Sequence, residues 1–221
     1  MAEYLFLHGK IVVDNTRLYE DGAILADEER VLDIFPHASK IKENIKAYKV
    51  NLEGRIILPF FEDKHSFSLN KREEDKPMFI NSLTAQDYDG IYDLFNGMEF
   101  NKEGNGLVNR AFNEDKYVFI NPLIMDKSVL KICLKLLKKD KLMFLDNKYE
   151  GLKILKELSV PLNDMYAIAG GNEFRLFKDE KDRASLVKGK RSDFVCFDDN
   201  MKMVFKFQGG KIIDSIIILS C

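Results

Sequence analysis

Histidine, carboxylate and thiolate side chains are the groups in this chain that could hold a metal ion and activate water for hydrolysis. The chain has three histidines and three cysteines: His8, His37, His65, Cys133, Cys196 and Cys221. A hydrolytic metal site needs about three protein ligands to hold the ion and to lower the pKa of its bound water. No histidine follows His65, and the cysteines have no CxxC or Cys/His ligand spacing. We therefore predict no resident metal, and cysteines that are buried or terminal thiols.

The charge balance and hydropathy of the chain exclude two other classes of function. Lys+Arg (34) and Asp+Glu (36) nearly cancel over 221 residues, so we expect no nucleic-acid partner. The longest apolar run, Ile216 to Leu219, is far too short to cross a bilayer, and the first ten residues lack the features of a signal peptide. We expect a cytoplasmic protein without a membrane partner, and 46% hydrophobic residues suffice for a sizeable core.

The two ends of the chain are rich in short strand patterns separated by turn residues. The N-terminal part predicts strands over 4–7, 10–13, 22–26, 31–35, 48–52 and 55–58, with a short helical turn within 38–46. The C-terminal part predicts strands over 193–197, 203–207 and 211–219. We expect the N-terminal strands to form an antiparallel sheet. Because three C-terminal strands alone would bury little, we expect both termini to meet in one sheet.

The middle of the chain alternates strands with helices. Strands are predicted over 78–80, 117–120 and 142–145, and helices over 84–97, 126–137, 148–158 and 162–169. Pro161 suits the first turn of the last helix, and Gly170-Gly171 is expected to end it. Alternation of this kind indicates a parallel βαβ region.

Several sequence segments resemble motifs of the amidohydrolase superfamily, most closely of the N-acetylglucosamine-6-phosphate deacetylases. Residues 7–13 and 21–27 resemble the opening strands of that family, and 57–65 (Ile-Leu-Pro-Phe-Phe-Glu-Asp-Lys-His) resembles its L-P-G-F-I-D-x-H pattern. Near the other end, 150–151, 160–164 and 185–195 resemble its closing helices and its G-x-L-x-x-G-K-x-A-D-L-V signature, and 208–213 resemble its final hairpin. The resemblance covers residues 4–65 and 150–214. It implies a β-sandwich-like domain built from both ends and a (β/α)8 barrel that carries one or two divalent metals.

The chain departs from that family in the length of its middle part. About 110 residues separate Ser66 from Phe177, whereas a complete (β/α)8 barrel takes roughly 250. We therefore predict an α/β fold in which both termini form a β-sandwich-like module, with an inserted, abbreviated (β/α) barrel-like region of three to four βα units. The expected division is a composite β module over 1–62 and 178–221, and a truncated α/β domain over 63–177.

The candidate site residues follow from the resemblance. In the H-x-H pattern His65 holds the first position, but Phe67, which cannot ligate, holds the second. Asp146 follows a predicted strand where the deacetylases have the aspartate that acts as general base. The candidate catalytic residues are thus Asp146 and His65, and the candidate ligand-binding residues are Asp63 and His65. If a metal binds, it is one divalent ion, zinc or iron, held by His65 and Asp63.

Each of these residues also has a structural interpretation, which we favour. An aspartate between a strand and a helix is an ordinary N-cap, and a single imidazole at a strand end is simply hydrogen-bonded to its surroundings. The sequence therefore predicts a degenerate amidohydrolase-related protein without metal-dependent hydrolase activity, acting in binding, regulation or scaffolding. The alternative is a residual hydrolase that acts on an N-acetyl amino sugar phosphate or another C–N amide bond.

An open parallel sheet of three or four units would expose strand edges and apolar faces, which proteins normally cover. We therefore expect a homodimer. A shortened sheet covered by its own helices is the alternative. The small-molecule ligand, if there is one, is not specified by the sequence.

Overall fold

The chain folds as a mixed α/β protein with one large sheet and few helices. The computed structural model describes residues 2–41, 44–61, 78–80, 118–120, 122–123, 127–136, 140–144, 147–176 and 182–213. The strands are β1 (Tyr4–Val12), β2 (Leu18–Ala26), β3 (Val31–Phe35), β4 (Tyr48–Asn51), β5 (Ile56–Pro59), β6 (Met78–Ile80), β7 (Val118–Ile120), β8 (Leu142–Phe144), β9 (Phe194–Phe197), β10 (Met203–Gln208) and β11 (Lys211–Ile213). The α-helices are α1 (Lys127–Leu136), α2 (Lys148–Glu157), α3 (Leu162–Tyr166) and α4 (Asn172–Leu176), and a 3-10 turn spans Ala38–Lys40.

Strands from both ends of the chain share the large sheet, as the sequence predicts. Its order is β11-β10-β9-β5-β1-β2-β3, and β4 pairs with β1 beside β5. The link between the two ends is the antiparallel pair of β5 and β9, which runs from Ile56 opposite Phe197 to Pro59 opposite Phe194. The division of the chain into a composite module and an inserted domain at residues 62/63 and 177/178 stays a prediction.

The prediction of an antiparallel N-terminal sheet is wrong for two strands. β4 and β5 both run parallel to β1, with Tyr48 opposite Tyr4 and Ile56 opposite Lys10. The connection 52–55 keeps the chain moving in one direction along β1 because Glu53 and Gly54 both take positive φ, 53° and 81°. Residue alternation within a strand does not report whether its neighbour is parallel or antiparallel, so the sequence pattern could not distinguish them.

The break predicted between the strands 4–7 and 10–13, at His8-Gly9, is also absent, because one strand spans it. β1 stays paired with β2 through two register shifts, on either side of Gly9. His8 adopts φ 59°, and a Cβ on Gly9 would lie 2.5 Å from the Leu52 side chain. The turn-forming residues are therefore absorbed as a bulge within a continuous strand.

Alternate residues of the central strands face two different cores. Ile56, Leu58, Val195 and Phe197 pack into a core shared with the helices and with β7 and β8. Ile57, Phe194 and Cys196 pack into a second core, together with Phe6, Phe205 and Phe207. The rings of Phe6 and Phe194 meet edge to face, with centroids 4.9 Å apart. β5 and β9 are buried on both faces, which explains why their sequences are continuous apolar runs and do not alternate with polar residues.

The α/β region contains the parallel βαβ pattern that the sequence predicts. β6, β7 and β8 form a parallel sheet in that order, with Met78 opposite Val118 and Val118 opposite Leu142. Helix α1 connects β7 to β8, and α2 follows β8. The helix predicted over 84–97, and the continuation of the last strand to 219, lie outside the described residues.

The prediction that Gly170-Gly171 ends a helix is wrong. Residues Ala167–Gly171 form a π-helical turn that joins α3 directly to α4. A Cβ on Gly170 would lie 2.6 Å from the Phe61 side chain, and one on Gly171 would lie 2.1 Å from Asn15 Oδ1. The two glycines therefore allow close packing of this helical segment against its neighbours, and they do not end the helix.

No helix within the described ranges is long and apolar enough to span a membrane.

Candidate functional site

The carboxyl ends of β5 and β8 lead to one point in the structure. Phe61 follows β5, and Tyr149 lies in the first turn of α2, just after β8. Their rings meet edge to face with centroids 5.6 Å apart, and the Tyr149 hydroxyl donates a hydrogen bond to the Phe61 carbonyl oxygen at 3.3 Å. Ligand sites of parallel α/β proteins lie at this edge of the strands. We call the cluster of Phe61, Lys148, Tyr149 and Glu173 the junction.

A buried ion pair occupies the junction. The Lys148 ammonium contacts the Glu173 carboxylate, and the two side chains are 1% and 4% exposed. Charged side chains are almost never buried to this degree without a partner, because the cost of removing a charge from water is large. Lys148 is the first residue of α2, where the helix dipole disfavours a cation, so the carboxylate of Glu173 offsets that cost as well.

Two asparagines tie the junction to the large sheet. Asn15, in the turn between β1 and β2, donates from Nδ2 to Asn172 Oδ1 at 3.1 Å. Asn172 in turn donates from Nδ2 to the Leu142 carbonyl oxygen of β8 at 3.0 Å. Asn172 is fully buried and precedes Glu173 in α4. This chain of bonds fixes α4, and hence the Glu173 carboxylate, relative to β8 and α2.

Asp193 forms a second buried polar group, at the start of β9. It is 2% exposed, and its Oδ1 accepts a hydrogen bond from the Gly209 N–H at 3.2 Å. Its Oδ2 lies 3.1 Å from Arg191 Nε and 3.7 Å from Arg183 Nε, within ion-pair distance but without hydrogen-bond geometry. The Arg183 guanidinium also lies over the Phe60 ring, 5.8 Å from its centroid. These contacts hold the β10–β11 turn against β5 and β9, which is a structural role.

The residues predicted to form the site, Asp63, His65 and Asp146, lie outside the described residues, as does Phe67. Asp63 and His65 come two and four residues after Phe61, and Asp146 comes three residues before Tyr149. Whether these three residues meet stays a prediction.

The other two histidines lie on the surface of the large sheet. His8 Nδ1 is 2.9 Å from Asp21 Oδ1, and both side chains are 48% exposed. His37 is exposed and forms a bridge with Asp21 through the backbone. In the parts of the chain that the structure describes, no three His, Cys, Asp or Glu side chains are grouped so as to hold a metal ion.

The two described cysteines are poor candidates for catalysis or metal binding. Cys133 and Cys196 are both buried and free. Burial raises the pKa of each thiol to about 12. Since the thiolate is the nucleophile and the metal ligand, these side chains act as small apolar core residues, as predicted.

Sequence reasoning missed Lys148 and Glu173. Lysine and glutamate are usually solvated, and only one signal could have marked the first of them. A lysine at the first position of a helix conflicts with the helix dipole, which indicates a nearby anion. The identity of that anion depends on the fold, since Glu173 lies 25 residues further along the chain.

Comparisons with known proteins identify the fold. No family model matches the chain, and no curated protein matches it. Solved structures do match. An N-acetylglucosamine-6-phosphate deacetylase from Pasteurella multocida aligns at 10% identity and a TM-score of 0.68, over 95% of this chain and 99% of that one. A beta-aspartyl dipeptidase from Fervidobacterium islandicum aligns at 8% identity and a TM-score of 0.64, over 96% and 97%.

An enamidase described as a member of the amidohydrolase superfamily aligns at 11% identity and a TM-score of 0.53, over 96% of this chain and 95% of that one. The chain thus has an α/β fold like that of amidohydrolase-superfamily structures. Deacetylases of N-acetylglucosamine 6-phosphate are among the structures that it resembles.

Proposed function

We propose that this chain is a degenerate, shortened amidohydrolase-related protein that lacks metal-dependent hydrolase activity and acts in binding, regulation or scaffolding. The fold likeness supports the ancestry, and the motifs at residues 57–65 and 185–195 support it independently. The observation that carries the loss of activity is the position of His8 and His37 on the surface of the large sheet. A cytoplasmic location and the abbreviated barrel-like arrangement of the middle region belong to the same proposal.

The supply of histidine ligands supports this proposal. The full chain contains three histidines, and two of them are accounted for by β1 and by the turn that follows β3. At most one imidazole, that of His65, remains for the carboxyl ends of the strands. A hydrolytic zinc site takes about three protein ligands, most often histidines with a carboxylate. Asp63 and Asp146 would have to supply the others.

The electrostatics of the junction point the same way. Lys148 lies two residues after Asp146 and carries a positive charge that Glu173 already neutralises. Because the two charges cancel, the pair has no net negative charge that would attract a divalent cation. The junction is thus a charge-balanced centre, and it needs no metal to balance its charge.

A deacetylase assay with N-acetylglucosamine 6-phosphate tests the proposal. We expect no turnover above the rate of the uncatalysed reaction, with or without added zinc or iron. Turnover that depends on added metal would contradict it. Binding of the same compound, measured by calorimetry without turnover, would support a binding role at the ancestral site.

The contact between Phe61 and Tyr149 favours one alternative, a residual hydrolase that uses Asp63, His65 and Asp146. Asp63 and His65 follow Phe61 within four residues and Asp146 precedes Tyr149 by three, and the side chains of Phe61 and Tyr149 contact each other. On this alternative, His65→Ala should abolish any hydrolysis of C–N amide substrates, while His37→Ala, at an exposed position, should leave it unchanged. An unchanged rate in His65→Ala would remove the alternative.

A further inference from the structure

The outer edge of β4 is an unpaired strand edge. β4 pairs with β1 along one side, and no other strand among the described residues pairs with it. Tyr48 N–H donates to the Glu3 carbonyl oxygen, at the start of the pairing with β1. Main-chain groups of successive strand residues point to opposite sides, so those of Lys49 and Asn51 point away from β1. Such an edge is a template for another strand unless it is blocked.

We propose that this edge is a homodimer interface, in which two copies of the chain pair antiparallel through β4. A two-fold axis makes the pairing antiparallel, and hydrogen-bonded pairs must use the outward-facing residues of both strands. Placing Lys49 opposite Lys49 would oppose like charges. Placing Lys49 opposite Asn51 forms two hydrogen-bonded pairs and sets Val50 against Val50. The second register is the one we assign.

The charges at the two ends of the edge are complementary in this register. Lys46 precedes β4 and is exposed, and Glu53 follows it with its side chain 66% exposed and its carboxylate 3.3 Å from Arg55 Nη2. Antiparallel pairing centred on Val50 places Lys46 of each copy opposite Gly54 of the other, next in sequence to Glu53. Because of the two-fold axis this attraction occurs twice. The edge is therefore complementary in charge to a second copy of itself.

The shape of the surface also suits a second copy. An open concavity of about 680 Å³ is lined by Ala2, Glu3, Lys46, Ala47 and Tyr48. In the assigned register it lies opposite the partner's turn 52–54, which projects from the surface: a Cβ on Gly54 would meet nothing within 4 Å. Tyr48, whose ring is 5.7 Å from that of Tyr4, is 68% exposed and would be covered by that turn. Exposed aromatic residues of this kind are typical interface anchors.

The homodimer was expected from the sequence for another reason, the missing βα units. The present inference places the contact on the large sheet instead. None of the interface residues belongs to the junction, so the test of the interface is independent of the proposed function.

Sedimentation velocity of the full chain from about 1 µM to about 1 mM covers the range of weak association and tests the inference. We expect the mass to rise from one chain towards two. Lys46→Glu and Glu53→Lys should each weaken dimerisation at least about tenfold, because each creates two like-charge contacts. Lys188→Glu, which makes the same change of charge on an exposed turn elsewhere, should dimerise like the unchanged protein. A mass of one chain throughout would overturn the proposal.

Mixing the two charge variants distinguishes an intermolecular contact from a local disturbance. Lys46→Glu mixed with Glu53→Lys opposes unlike charges at both ends, so the mixture should recover the dimer that each variant alone has lost. Failure to recover it would overturn the assigned register and the interface.

Proline at the outward-facing position provides a second test. Lys49→Pro removes an N–H that makes no bond to β1, so β4 should stay in the sheet while its outer edge is blocked. We expect this variant to be monomeric with an unchanged circular dichroism spectrum, and Lys49→Thr to dimerise. Undiminished dimerisation of Lys49→Pro would refute strand pairing through this edge.

Discussion

Removing the positive charge of Lys148 should destabilise the protein far more than removing an exposed lysine. Lys148 and Glu173 are 1% and 4% exposed, so Lys148→Met removes the contacting ammonium from a carboxylate that is almost out of reach of water. Deleting one partner of a buried ion pair typically costs about 3–5 kcal/mol, because the remaining charge keeps its desolvation cost. Domains of this size are stable by about 5–15 kcal/mol, so the variant should still fold in native buffer.

The double variant Lys148→Met/Glu173→Gln separates loss of charge balance from loss of packing. Glutamine keeps the length and the hydrogen-bonding capacity of Glu173 but removes its charge. Because Glu173→Gln also removes the buried negative charge, the double variant should be more stable than Lys148→Met alone. The coupling energy between the two positions should be about 2 kcal/mol or more, within the range measured for directly contacting residues.

Urea denaturation followed by circular dichroism measures these differences, and the chain contains a matched control. Lys127 and Glu157 also form an ion pair between two helices, but their side chains are 58% and 57% exposed. Lys127→Met should therefore cost no more than about 1 kcal/mol. If Lys148→Met cost as little as Lys127→Met, or if the double variant lost the full sum of the single losses, the junction would not be a charge-balanced centre.

Two further predictions concern packing and thiol reactivity. Gly151→Ala places a Cβ 2.4 Å from the Phe144 ring. The resulting overpacking should cost about 1–3 kcal/mol, which outweighs the gain of about 1 kcal/mol in helix propensity. A urea midpoint higher than that of the unchanged protein would contradict this. In a Cys221→Ser background, Cys133 and Cys196 should resist a thiol reagent at pH 8 and react fully in denaturant. The reason is that burial raises the pKa of each thiol to about 12. Rapid labelling of the native protein would contradict this prediction.

Local sequence patterns predicted most of the elements but few of their pairings. The predicted bounds of β3 and β6 agree with the structure, and those of α2 differ by one residue. Parallel pairing of β4 and β5 with β1 could not be predicted, because it depends on the conformation of the four-residue connection 52–55. Glycines that predict a turn or a helix end were misleading at Gly9 and Gly171. At both positions the glycine lies within an element, where a Cβ would collide with a neighbouring side chain.

The assembly of the predicted site residues stays a prediction, because Asp63, His65 and Asp146 lie outside the described residues. The motif at 57–65 and the strand before Asp146 predicted two strand ends, and Phe61 and Tyr149, which follow those strands, contact each other. The Lys148–Glu173 pair was missed because burial of charged residues depends on tertiary partners. Nothing in the local sequence of α2 or α4 specifies that their first turns meet.

The measurement that tests the central claim most directly is the metal content of the purified full chain, determined by elemental analysis after expression with zinc and iron supplied. His8 and His37 lie on the surface of the large sheet, so only His65 is left to supply an imidazole, and we expect a content far below stoichiometric for both metals. Stoichiometric zinc or iron that is lost in His65→Ala and retained in His37→Ala would contradict the account, because it would show that the strand ends still assemble a complete ligand set.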